Sequence, residues 1–143
     1  QALSRLMKEK GQDIYWHFLL DERISLSKAA FQSIQKNKVH FGAQLIYETY
    51  QKSTIEHLSK YLLMILLEED SWERLPYLLE LYYYPYEKMR QLIHLRINQR
   101  NPYKKISPQL KEKIMSSLMN QKNNIPNNVQ ESILFDLKFI CKD

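Results

Sequence analysis

A chain of 143 residues is long enough for one buried core and short for two, and its 44% apolar and 12% aromatic content excludes a largely disordered protein. Two glycines and five prolines are too few for the turns of a β-rich domain, so the composition points to helices joined by short connections. The formal charge is +5, and a single cysteine, Cys141, excludes an internal disulfide and a thiolate metal cluster, which suits an intracellular, reducing setting in cytoplasm or nucleus.

In chain order, the first helix is predicted over 2–20 with a break near Gly11. Residues Gln1 to Lys10 carry charges in an amphipathic pattern and lack the apolar stretch of a signal peptide. A start at Gln1 rather than methionine reads as a domain excised from a longer protein. Helices over 25–37 and 40–52 follow. Ser53-Thr54-Ile55-Glu56 fits a capping box and opens a helix over 54–68 that is apolar all round, the predicted core element. Asp70-Ser71-Trp72-Glu73 fits a second box, opening 71–84, whose end carries Tyr82, Tyr83 and Tyr84 with Tyr86 just beyond.

Pro85, Pro108 and Pro126 stand at first-turn positions, where a missing amide is harmless, and predict helices over 85–99, 108–120 and 126–141. Segments 106–118 and 125–137 match at their apolar positions with an offset of 19, which reads either as an internal repeat or, more simply, as the spacing shared by any two proline-started amphipathic helices. The expected fold class is all-α: about eight short helices in an irregular bundle or a helical-repeat (superhelical) stack, as a single domain over 1–143. The longest apolar run, Tyr61 to Leu67, is far below the roughly 20 residues of a membrane span, so no transmembrane segment is predicted.

Charge is unevenly distributed. Residues 1–84 carry 10 Lys/Arg against 11 Asp/Glu, and residues 85–143 carry 11 against 5. Between Lys88 and Lys122 nine basic residues face one acid, Glu112, a field that attracts phosphate backbones, anionic lipids or acidic protein surfaces. The alternative is neutralisation by the acidic stretch Glu68, Glu69, Asp70 and Glu73. On a helical wheel Arg96 falls among Met89, Leu92, Ile93 and Ile97, which predicts partial burial. It then either presents a guanidinium to a ligand carboxylate or phosphate, or closes a helix end while paired with Glu80 or Glu56. Tyr103-Lys104-Lys105, after Arg100-Asn101-Pro102, places an aromatic ring among cations, an arrangement suited to stacking a base beside phosphate contacts.

Catalytic signals are sparse. His17, His40, His57 and His94 stand singly without metal-ligand spacing, and Gly11 and Gly42 cannot form a phosphate loop. Cys141 lies among Phe139, Ile140 and Lys142, a setting for a packed thiol rather than an activated one. The expectation is therefore a non-catalytic protein-interaction or scaffold module without cofactor or metal. It would engage an acidic protein surface through Lys88, Arg90, Arg96, Arg100, Tyr103, Lys104, Lys105 and Lys111. The alternative is binding of single-stranded nucleic acid or RNA by the same residues.

Overall fold

A computed structural model of the chain describes residues 12–140, so the predicted helix before residue 12 and Cys141 lie outside the described residues. Among the described residues every regular element is a helix. The chain divides into two compact units, one ending at Leu66 and one beginning at Leu67.

The first unit holds α1 (12–19), α2 (Ile24–Asn37), α3 (Ala43–Lys52) and all but the last residue of α4 (Glu56–Leu67). A buried Ser27 hydroxyl donates to the Leu19 carbonyl at 2.6 Å, satisfying an acceptor left open at the end of α1. His57, at the start of α4, lies with Nε2 3.1 Å from the Asp21 carbonyl oxygen and so fastens the α1–α2 turn. Phe31 of α2 stacks on Tyr61 of α4 with ring centroids 4.5 Å apart. Leu19, Ile34, Ile46 and Leu62 are fully buried.

Two boundaries in this unit differ from expectation. The helix predicted from residue 40 begins at Ala43, because Gly42 turns the chain at φ 93° just before it. The Ser53 box does not form. The Ser53 hydroxyl donates to the Ile55 carbonyl at 3.3 Å and accepts from Ser59, so α4 begins only at Glu56. The predicted core character of α4 holds, with Leu58, Leu62, Leu63, Ile65, Leu66 and Leu67 all buried.

The second unit holds α5 (Leu75–Glu80), α6 (Glu87–Asn98), α7 (Pro108–Asn120) and α8 (Asn127–Ile140). Asp70 does cap, accepting from the amides of Trp72 and Glu73 at 3.1 Å each, but it caps a turn. Regular helix starts only at Leu75, and the predicted 71–84 shrinks to six residues. Ser107 accepts from the Leu110 amide with Pro108 in the first turn, as the sequence implies. Pro126 instead stands just before α8, its carbonyl accepting from Val129 and Gln130. Pro85 precedes α6 by two residues.

Helix α5 packs against α6 and α7. Trp72, Leu75, Leu79, Ile93, Ile114 and Ile133 are fully buried. Tyr82 is buried and stacks on His94 at 4.0 Å, while Tyr83 is exposed and its hydroxyl donates to the Asn124 carbonyl. The offset-19 match is visible in burial: Ile106, Ile114 and Leu118 correspond to Ile125, Ile133 and Leu137, and all six are buried. No described helix is long and apolar enough to cross a membrane.

Candidate functional site

The basic segment lies wholly in the second unit, and its cations meet the acidic turn that precedes α5. Four residues beyond that turn's cap, Arg74 is buried and donates to four backbone carbonyls: Leu67 at 2.8 Å, Glu69 at 2.9 Å, and Arg96 and Gln99 at 3.1 Å each. These acceptors lie at or just beyond the ends of α4 and α6, where carbonyls run short of intrahelical partners and the helix dipole is negative; the Arg96 carbonyl also accepts from the Gln99 amide at 3.1 Å. Burial, and then the neighbouring Arg96 cation, lower the Arg74 pKa from the usual arginine value.

Arg96 emerges between buried Ile93 and Ile97, as the wheel requires, with 27% of its side chain exposed. Its acid is Glu68 at 3.0 Å, and Gln99 Oε1 accepts a second bond at 2.6 Å. Of the two acids named from the sequence, Glu80 accepts from Gln121 instead and Glu56 belongs to the first unit. Arg100 is more enclosed, with 6% exposure. It bridges to Asp136 at 2.9 Å, donates to Ser132 and to the Ile97 carbonyl, and lies 5.8 Å over the Trp72 ring.

Lys104 pairs with Asp70 Oδ1. Partial burial raises the Asp70 pKa, but the Lys104 ammonium and the amides of Glu73 and Trp72 outweigh it and hold the carboxyl below its ordinary value. Lys105 donates to the Phe139 carbonyl at 2.7 Å near the end of α8, and Arg90 donates to the Tyr84 carbonyl at 3.2 Å. Five of the sequence-selected cations are therefore held by the protein itself. Lys88 and Lys111 are exposed and unpaired among the described residues, and Tyr103 is 90% exposed.

A second feature lies between α7 and α8. Lys111 and Met115 from α7 and Glu131, Leu134, Phe135, Leu137 and Lys138 from α8 line an open groove of about 510 Å³. Leu137 is buried, while Met115, Leu134 and Phe135 are 41%, 37% and 60% exposed. Phe139 continues the apolar strip, its ring 5.1 Å from that of Phe135. Lys111, Lys138 and Glu131 form a charged rim and are unpaired among the described residues.

Of these, only Lys111 was selected from the sequence. The missed signal is in α8, where Ile133, Leu137 and Ile140 supply the buried stripe and Leu134, Phe135 and Phe139 form a second apolar stripe. A helix with two apolar faces in a small unit leaves one of them uncovered.

Among the described residues no three of His, Cys, Asp and Glu converge as metal ligands. His94 Nε2 is 2.8 Å from the Tyr82 carbonyl oxygen, and His57 is engaged by Asp21. No family model matches the chain, and no curated protein or solved structure matches it either.

Proposed function

We propose that the chain is a non-catalytic protein-interaction module that engages an acidic partner through the α7–α8 face of its second unit. The observation carrying this reading is the open apolar groove with the exposed cations Lys111 and Lys138 in its lining. Exposed aromatic and methionine side chains supply contact area, and rim charges steer encounter and select the partner. Nucleic-acid binding draws less support, because Arg96, Arg100 and Lys104 already hold internal carboxylates. A phosphate would have to displace those acids.

A photo-cross-linking residue in place of Phe135, with the same residue at exposed Leu45 as control, tests the reading in native extract. The expected result is a discrete protein adduct at position 135 that survives nuclease and is absent from the control. Adducts lost on nuclease treatment, or equal adducts at both positions, would overturn it.

A further inference from the structure

Building on that reading, we infer that the α7–α8 groove receives an amphipathic helix bearing acidic residues at one end of its apolar stripe and a basic residue at the other. The argument starts from the rim. On α8, Glu131 and Lys138 are seven residues apart, two helical turns or about 10 Å. Apolar Leu134 and Phe135 lie between them, and Leu137 forms the floor. Lys111 of α7 adds a second cation to the lining. A helix laid along α8 meets apolar surface for two turns with charge at both margins. Helix-in-groove recognition uses anchors at i, i+3 or i+4 and i+7, which spans the same two turns.

The rim also argues for a peptide rather than an anionic membrane or nucleic acid. Those partners reward a cluster of cations, and Glu131 in the same lining opposes them. An acid–base pair seven positions apart on a partner helix is instead complementary to Lys138 and Glu131 together.

The probe is a synthetic fluorescein-labelled amphipathic helix with Leu or Phe at i, i+3 and i+7, two Glu at one end of the stripe and one Lys at the other, titrated against the full chain. A scrambled peptide of the same composition is the control. The proposal expects saturable binding of the patterned peptide only. Phe135→Ser should weaken it roughly ten- to thirty-fold. The exposed double change Lys111→Glu/Lys138→Glu, with helicity checked by circular dichroism, should weaken it about ten-fold, with recovery by a peptide carrying Lys in place of its two Glu.

Equal binding of the scrambled peptide would overturn the proposal. So would preference for vesicles of phosphatidylserine and phosphatidylcholine, or a concentration-dependent dimer abolished by Phe135→Asp. No peptide binding with a persistent position-135 adduct would reject this partner class alone, whereas loss of both would also reject the interaction reading.

Discussion

Arg74 Nη2 donates to the backbone carbonyl of Arg96 at 3.1 Å, so one buried cation secures the helix end from which a second cation turns outward to Glu68. The arrangement places two like charges close together, and each is offset differently: Arg74 by carbonyl dipoles, Arg96 by a carboxylate. Replacing Arg74 with methionine preserves apolar contact but removes the side-chain donor from four carbonyls, of which that of Arg96 keeps only the Gln99 amide. The expected loss is about 3 kcal/mol, read as a lower urea midpoint by circular dichroism. Arg74→Lys should recover only part of it, since an ammonium cannot reproduce the planar fork. A loss below about 0.5 kcal/mol for Arg74→Met would contradict the assigned role.

The acidic turn should control how basic the second unit looks to a polyanion. Glu68→Gln with Asp70→Asn releases Arg96 and Lys104 from their carboxylates. Retention on a heparin column should therefore rise well beyond what the same loss of two negative charges produces in Glu22→Gln/Glu48→Gln, at two exposed acids. Equal retention of the two double variants would show that the internal pairs do not restrain those cations.

Acid should weaken the Asp70 cap over a defined window. Its folded pKa is depressed, so its stabilisation is fully present above the ordinary aspartate range and is lost as pH falls through the lower folded value. Lys104→Met should move the Asp70 carboxyl titration upward, followed by NMR, and shift this acid loss toward higher pH. In the first unit the Asp21 carboxyl is held at about 2, chiefly by the Arg23 side chain, so it should stay ionised as pH falls through the ordinary aspartate range.

Lys38 closes α2 at φ 51°, with its amide on the Gln35 carbonyl and the Val39 amide on the Ile34 carbonyl. Glycine suits this left-handed position better, so Lys38→Gly should raise stability by roughly 0.5–1 kcal/mol. Gly42→Ala should lower it by about 1 kcal/mol, although the space around a Cβ there is open, because φ 93° is strained for any L side chain. Thermal melts of the two variants should move in opposite directions.

The helices were legible because apolar periodicity, proline position and Ser107 all act locally, within one turn. The starts that slipped depend on competition. Ser53 spends its hydroxyl on the Ile55 carbonyl, and Asp70 caps a turn that Arg74 then ties to distant carbonyls. The burial of Arg96 followed from its wheel position, and Glu68 stood in the acidic stretch expected to neutralise the basic segment, but the specific partner expected was Glu80 or Glu56, because Glu68 is 28 residues away in sequence. Charge density does not mark the α7–α8 groove, because Leu134, Phe135 and Lys138 stand beyond 88–122 in a less basic stretch.

The two tryptophans fall one to each unit, Trp16 on α1 and Trp72 before α5. Trp72 is fully buried, its indole donating to the Asn101 carbonyl at 2.9 Å under the Arg100 guanidinium. Trp16 is only partly covered and tilts against Phe41 at 4.8 Å. Each unit thus carries its own optical reporter, the second emitting at shorter wavelength in the native state. Single-tryptophan variants W16F and W72F assign a fluorescence transition to each unit, and coincident or separated midpoints then measure the cooperativity between them.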